Sequence, residues 1–293
     1  IENAIPLSAG NYNRTVSDNA SRLIAELEEK ANESKIDPGQ FSENWRLQLG
    51  SLGSGNHFIE ISKDESSQVW LFLHSGSRGI GNKIAQHHIQ IANSLMKKWW
   101  IPLPHDSLAY LVEGTDEFDE YLRGLLWAQE FARLNREEMM HRVKTAVSEF
   151  MNDDVRPVEL INCHHNFTQK EHHYRKDVWV SRKGAISAQK GEMGLIPGSM
   201  GTPSYIVSGK GNPLSLCSSP HGAGRNYSRT QARKMFTIED LAQAMGNIEY
   251  RHSAAFIDEI PAAYKPIEQV MADSEDLVEV VHELRQLMNV KGN

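Results

Sequence analysis

Four histidines of this chain lie in tight loops between short apolar runs. They are His57 in GSGNHFIE, His74 in LHSGSRG, His165 in NCHHNF and His221 in PHGAGR. Glycine allows the backbone to approach a ligand closely, and imidazole is the commonest transition-metal ligand in proteins. The pattern therefore predicts a metal site that gathers these side chains, with a hydrogen-bonded core histidine as the alternative for any one of them taken alone.

Other histidines stand in helix-like or polar stretches that lack glycine neighbours. Such histidines are usually packed or solvated rather than bound to a ligand, so we expect structural or surface roles for them. This group contains His87, His88, His105, His141, His172, His173, His252 and His282.

Two of the glycine-rich segments are also suited to binding phosphate. PGSMGTPSY at 197–205 and HGAGR at 221–225 can direct successive backbone N–H groups at phosphate oxygens, although neither matches a Walker A or a Rossmann fingerprint. Guanidinium and ammonium groups bind phosphate, and several lie within a few residues of the loops. These cations, which we expect to contact phosphate, are Arg78, Arg182, Lys183, Arg225 and Arg229. The sequence thus predicts a metal site beside a polyphosphate or nucleic-acid phosphate site.

The overall composition limits the classes of partner. The 293 residues carry a formal net charge of −7, so the chain is not expected to coat nucleic acid by bulk electrostatics, and any nucleic-acid partner needs a local basic site. No apolar run reaches the roughly 18–20 residues that span a bilayer, and we expect no membrane partner. The two cysteines, Cys163 and Cys217, have no paired spacing, which favours a reducing compartment and a cytoplasmic location.

The elements that must position these residues can be outlined from periodicity. Beta-type runs at Phe58–Ile61 and Val69–Leu73 each adjoin a glycine-rich segment with a histidine, which predicts strands whose ends hold site residues. Cap-type residues followed by apolar residues at helical spacing predict a surface helix over 17–35.

Further helices are predicted in the middle and at the end of the chain. Residues 83–99 and 119–151 show helical periodicity and strong helix formers, and we interpret 83–151 as a helical insertion. The same criteria predict a last helix near Asp273–Met288. We expect one domain over 1–293 rather than two.

Six segments, in this order, closely resemble the RtcB-type RNA ligases. They are LGSGNHFIEI, HSGSRGIGN, CHHNF, IPGSMGTPSYIVSGKGN, SSPHGAGRNYSRTQARK and the terminal VKG. The resemblance implies an α+β fold with β-sheets around a central active-site cleft. It also implies an enzyme that depends on GTP and two Mn²⁺ ions, and that joins RNA with a 2′,3′-cyclic phosphate or 3′-phosphate to RNA with a 5′-hydroxyl, in tRNA splicing or RNA repair.

The resemblance also assigns roles to single residues. His221 is implied as the nucleophile that becomes guanylylated, His57 as a ligand of one Mn²⁺, and His74 with His165 as ligands of the other. The resemblance also implies that Lys291 closes on the base and that Glu60 accepts guanine N–H groups. The alternative for Glu60 is an ordinary strand residue that faces outward. The full set of implied guanylate contacts is Asn56, His57, Phe58, Ile59, Glu60, His165, Asn166, Pro197, Gly198, Ser199, Met200, Ser204, His221, Gly222, Ala223, Gly224 and Lys291.

One family motif has no counterpart in this chain. Members carry, upstream of the GNH segment, an aspartate and a cysteine that bind metal, and Cys163 and Cys217 do not occupy that position. We therefore expect the chain to be a fragment of a longer protein, with a short paralogue that has an incomplete site as the alternative. In either case we expect weaker metal affinity and little or no ligation by this chain alone. Two alternatives to an RNA ligase are a metal-dependent phosphoesterase that processes RNA ends and a non-catalytic module that binds guanylate or RNA ends.

Overall fold

The computed structural model describes residues 1–292, which divide into two compact units. The first unit contains Ile1–Ala9, Leu52–His74 and the chain from Met140 onward, and the second contains Gly10–Ser51 and Ser75–Met139. Helices and antiparallel strands make this an α+β fold, as predicted. The expectation of one domain over 1–293 with an insertion at 83–151 stays a prediction.

The second unit is helical. Its helices α1 to α5 are Asp18–Glu33, Pro38–Phe41, Trp45–Gln48, Arg78–Lys98 and Asp116–Met151, of which α5 belongs to this unit as far as Met139. Ser17 caps α1 by accepting a hydrogen bond from the backbone N–H of Ala20, which satisfies one of the donors that a helix start leaves over. The predicted helices over 17–35, 83–99 and 119–151 are confirmed.

The core of the helical unit is aromatic and aliphatic. Trp45, Trp127 and Phe131 meet edge to face or tilted, with ring centroids 5.4–6.3 Å apart. The indole N–H of Trp127 donates to the Leu27 carbonyl oxygen at 2.9 Å, so this buried ring leaves no polar atom unsatisfied. No helix within residues 1–292 is long and apolar enough to span a bilayer.

The first unit is built on strands. The ten strands β1 to β10 are Phe58–Lys63, Val69–His74, Asn166–His173, Lys176–Lys183, Ala185–Ser187, Met193–Ile196, Ser204–Gly209, Ser218–Pro220, Glu249–Tyr250 and Val278–Lys291. The largest sheet has the order β2-β1-β10-β7-β6, with β9 beside β10, and the hairpin β3-β4 and the pair β5-β8 form two small sheets. Helices α6 to α8 are Arg229–Met235, Ile238–Met245 and Ile267–Ala272.

The end of the chain differs from the sequence prediction. The helix predicted near Asp273–Met288 is wrong: α8 ends at Ala272, and β10 begins at Val278 as a strand of 14 residues. This segment is rich in helix formers, but β10 pairs with β1 along one part of its length and with β7 along another. Strand pairing and burial therefore outweigh the local helix propensity.

Candidate active site

The candidate site lies where several strands of the first unit begin or end. Strand β2 ends at His74, β3 begins directly after His165, and β8 ends directly before His221. The antiparallel register of β1 and β2 pairs Phe58 with His74, and this brings the preceding residue, His57, close to the end of β2. The prediction that these histidines lie at the ends of β1 and β2 is confirmed, and their role as site residues remains a prediction.

A glycine links the loops of His165 and His221. The carbonyl oxygen of Gly184 accepts a hydrogen bond from the backbone N–H of His221 at 3.3 Å, and the next residue, Ala185, donates to the His165 carbonyl at 3.1 Å. Gly184 has a φ of +67°, and a Cβ atom there would lie 3.2 Å from Cε1 of His221. Glycine is therefore the residue that fits this turn without pressing on the imidazole.

The four loop histidines come together around His74. Its ring centroid lies 4.3 Å from that of His165, 5.7 Å from that of His57 and 5.9 Å from that of His221. The rings of His165 and His221 are stacked, 5.0 Å apart and 9° from parallel. Ligand atoms of His74, His165 and His221 all lie within 4.8 Å of one another. This donor set fits a divalent transition-metal ion.

Burial favours the neutral form of two of these imidazoles, His74 and His221, and a hydrogen bond orients a third, His57. Nδ1 of His57 donates to the Leu52 carbonyl oxygen at 2.8 Å, which leaves the lone pair of that ring on Nε2. Burial, together with the neighbouring His165, His57 and His221, holds the pKa of His74 well below its usual value. Burial also lowers the pKa of His221, against a hydrogen bond to Gly184. Neutral imidazole is the form that binds a metal or attacks an electrophile.

A cavity of about 180 Å³ adjoins these histidines. His74 and His221 line it, together with loop and strand residues from most of the segments that the resemblance points to. The predicted guanylate contacts and cations in its lining are Asn56, Phe58, Glu60, Pro197, Gly198, Ser199, Met200, His221, Gly222, Ala223, Gly224, Arg225, Arg229 and Lys291.

Some predicted guanylate contacts are placed elsewhere. Ile59 is fully buried in the core, and Ser204 is buried at the start of β7. Asn166 supports the glycine turn, because its Oδ1 accepts a hydrogen bond from the backbone N–H of Gly184 at 2.8 Å. His57 and His165 are also absent from the cavity lining, and all of the guanylate contacts remain sequence predictions.

Glu60 is buried on the cavity wall with unused hydrogen-bonding capacity. The Ser62 hydroxyl donates to its Oε1 at 3.0 Å, but its Oε2 has no hydrogen-bond partner, and neither has Oδ1 of Asn289, which opposes Glu60 across β1 and β10. Burial raises the pKa of Glu60 to about 7, although the hydroxyls of Ser204 and Ser62 and the charge of Lys291 lower it. The wall therefore offers two oxygen acceptors to N–H groups of a ligand.

A second buried carboxylate on the cavity wall, that of Glu259, is surrounded by several hydrogen-bond donors. It accepts hydrogen bonds from Tyr264 Oη at 2.6 Å, Lys291 Nζ at 3.0 Å and Arg225 Nη1 at 3.2 Å, and Arg229 Nη2 lies 3.5 Å away. Burial lowers the pKa of Lys291, while Glu259 favours its charged form. Sequence reasoning missed Glu259, Tyr264 and Asn289, because no glycine-rich loop or histidine marks their segments.

The predicted phosphate-binding cations have different surroundings. Lys183 is exposed at the end of β4, whereas Arg182 next to it is buried and bound to Glu171. Arg182 is therefore unavailable to an RNA phosphate, and we leave it out of the proposed phosphate contacts. Arg78 belongs to the helical unit, where its Nε donates to Ser51 Oγ at 3.0 Å.

Known proteins share extended sequence similarity with this chain. The profile of the family described as tRNA-splicing ligase RtcB matches residues 11–292. The chain is similar to the RNA-splicing ligase RtcB of Escherichia coli K12, with 53% identity over 249 residues that cover 83% of this chain and 61% of the relative.

Two archaeal proteins are more distant relatives. The tRNA-splicing ligase RtcB of Methanococcus maripaludis is 32% identical, over 85% of this chain and 61% of its own length. That of Aeropyrum pernix is 30% identical, over 91% of this chain and 65% of its own length. The chain thus spans less than two thirds of the length of these relatives, and it belongs to the tRNA-splicing ligase RtcB family.

Proposed function

We propose that this chain carries the nucleotide and metal centre of an RNA ligase that depends on GTP and Mn²⁺. The proposed reaction joins RNA with a 2′,3′-cyclic phosphate or 3′-phosphate end to RNA with a 5′-hydroxyl end. The observation that carries the proposal is the position of His221, whose ring stacks on that of His165, lies next to His74 and also lines the cavity. A nucleophile placed between a group of candidate metal ligands and a cavity suits nucleotidyl transfer.

His221 is the proposed nucleophile. A nitrogen of its neutral ring forms a bond to the α-phosphorus of GTP, the bond from that phosphorus to the bridging oxygen breaks, and pyrophosphate leaves. The small residues Gly222, Ala223 and Gly224 leave room beside the ring for the nucleotide. The stacked ring of His165 restrains the orientation of the nucleophile.

The imidazoles of His57, His74 and His165 are the proposed metal ligands. When bound, Mn²⁺ neutralises phosphate charge and favours departure of the leaving group. Glu60 and Asn289 are the proposed acceptors for guanine N–H groups, since both present a buried oxygen without a partner. Arg225 and Arg229 are proposed phosphate contacts on the same wall, and Lys183 and Arg78 remain proposed RNA-phosphate contacts.

The cellular setting is part of the proposal. We propose a cytoplasmic location, as the sequence analysis predicts. The proposed partners are GTP and RNA ends of the two kinds named above.

Covalent labelling tests this function. The chain is incubated with GTP labelled at the α-phosphate and with Mn²⁺, and the denatured protein is analysed for bound label. We expect labelling of the unaltered chain and of His141→Ala, an exposed histidine on α5, and no labelling of His221→Ala.

Other outcomes separate the alternatives. Release of product from RNA ends without a covalent adduct would indicate a phosphoesterase. Binding of GTP or RNA ends with neither product nor adduct would indicate a binding module. Labelling retained in a folded His221→Ala variant would reject His221 as the nucleophile.

A further inference from the structure

Arg182 and Glu171 form a buried ion pair on the β3-β4 hairpin. Both side chains are almost completely buried, with 2% and 7% exposure. The Arg182 guanidinium binds Glu171 through both carboxylate oxygens: Nη1 contacts Oε1, and Nη2 donates to Oε2 at 3.1 Å. The burial of Glu171 would raise its pKa, but hydrogen bonds from Arg182, His173 and Gln169 lower it to about 2. The pair is therefore fully ionised.

The same guanidinium contacts the chain that leads to His221. Its Nε donates to Oγ of Ser218, the first residue of β8, at 2.9 Å, and its Nη2 donates to the Leu216 carbonyl oxygen at 2.9 Å. Leu216 and Cys217 both adopt left-handed backbone conformations, with φ of 52° and 49°. Residues other than glycine rarely adopt this conformation, so the turn needs support from its surroundings.

Arg182 also contacts the chain that follows His165. Its guanidinium carbon lies 5.1 Å from the centroid of the Phe167 ring, two residues beyond His165. One side chain thus reaches the segment after His165 and the segment before His221. A planar fork of donors can make all of these contacts at once, and the single ammonium of lysine cannot.

We infer that Glu171 and Arg182 are positioning residues that fix the spacing of the His165 and His221 rings. Glu171 holds the guanidinium in one orientation, and the guanidinium holds the left-handed turn from which β8 carries His221 to its stacked position. The effect on nucleotidyl transfer rests on the proposed function, whereas the effect on the two rings does not depend on it.

The test uses a double variant that removes both charges while keeping side-chain volume, Glu171→Gln with Arg182→Met. Replacing both members of a buried pair is tolerated better than removing one of them, so we expect this variant to fold. The matched control is Glu130→Gln with Arg133→Met, because Arg133 also binds a carboxylate through both oxygens, but in the helical unit. Arg182→Lys is a third variant, which keeps the charge next to Glu171 and loses the fork.

The first readout is the NMR signals of the histidine rings in protein without added metal or nucleotide. We expect the signals of His165 and His221 to shift in the double variant and in Arg182→Lys, because the stacking of the rings changes. The control should leave them in place. Unchanged His165 and His221 signals in the folded Arg182→Lys or double variant would overturn the inference.

The second readout is the rate of covalent labelling by GTP at saturating concentration. A misplacement of about 1 Å can lower a rate by about 100-fold, and we expect a loss of that order with little change in the GTP concentration needed for half-maximal rate. A control variant that loses as much would show a merely structural effect and overturn the inference. An unaltered chain that is never labelled would contradict the proposed function, while the NMR comparison would still decide the positioning role.

Discussion

Two buried polar side chains of the helical unit and two on the cavity wall of the strand unit differ in how their oxygen atoms are bonded. In the helical unit, Oδ1 of Asn135 accepts hydrogen bonds from the backbone N–H groups of Gly50 and Ser51, and the Glu138 carboxylate accepts hydrogen bonds from Ser17 and Asn19. In the strand unit, Glu60 and Asn289 each keep a buried oxygen without a partner. Asn135 and Glu138 hold segments of the chain together, whereas the cavity wall retains hydrogen-bonding capacity for a ligand.

The histidines of the two units also differ in what they contact. His87 and His88 on α4 contact each other and the rings of Phe41 and Tyr121, with centroids 5.1–5.5 Å apart. These are packing contacts within a helical structure. The histidines at the strand ends of the other unit contact one another, and two of them, His74 and His221, line a cavity. The position of a histidine at a strand end therefore distinguishes the two groups of histidines, whereas the number of histidines in the chain does not.

The largest difference between the units should appear in metal affinity. We expect His74→Ala to weaken binding of Mn²⁺ by more than about 100-fold, because His74 is at the centre of the ligand group. His87→Ala, an exposed change on α4, should leave the affinity unchanged. Calorimetric titration of both folded variants measures this, and equal affinities would remove the distinction between the two groups of histidines.

The buried carboxylate Glu259 should matter more for stability than a carboxylate of the helical unit. Glu259→Gln leaves the buried ammonium of Lys291 without its closest charged partner, and we expect the free energy of unfolding to fall by about 3 kcal/mol. Glu130→Gln breaks a more exposed pair with Arg133 and should cost less than about 1 kcal/mol. Urea unfolding of both variants provides the measurement. Equal losses would mean that burial does not distinguish these pairs.

The raised pKa of Glu60 predicts that the protein loses stability as pH rises. The folded state holds a proton on Glu60 up to about pH 7, whereas the unfolded chain releases it near 4.5, so this group lowers stability as pH rises from about 4.5 to 7. The decrease in the free energy of unfolding is complete above pH 7 and is of the order of 3 kcal/mol, since one pKa unit corresponds to about 1.4 kcal/mol.

Glu60→Gln isolates this effect from those of the other titratable groups. We expect the variant to be more stable than the unaltered chain at pH 8, with the difference decreasing towards pH 5. Urea unfolding across this range measures the difference, and one that stays constant with pH would contradict the prediction.

The smallest expected effect concerns the start of α1. Ser17→Ala removes the N-cap hydrogen bond to Ala20 and a hydrogen bond to Glu138, and we expect a loss of about 1 kcal/mol in stability. Covalent labelling by GTP should remain unchanged, because the change lies in the helical unit. Thermal unfolding and the labelling assay together test this, and a loss of labelling in the folded variant would show that the helical unit contributes to the reaction.

Local sequence patterns were sufficient to predict several helices and strands and to single out the side chains that could bind a ligand or react. Strands β1 and β2, helices α1, α4 and α5, and the four loop histidines were all recognisable, because periodicity, caps and glycine-rich turns act over a few residues. The gathering of the histidines around His74 agrees with the prediction of a shared site. Their roles as ligands and nucleophile remain predictions.

The tertiary structure was needed to show which residues distant in sequence line the same cavity, pair as strands or form an ion pair. The segment 278–291 is a strand because β1 and β7 pair with it, and its helix formers gave no sign of those partners. Arg182 is adjacent in sequence to the exposed Lys183, yet it is buried against Glu171, and Glu259 meets Lys291 across 32 positions. Burial and long-range pairing depend on the whole fold, and local propensity carries no information about them.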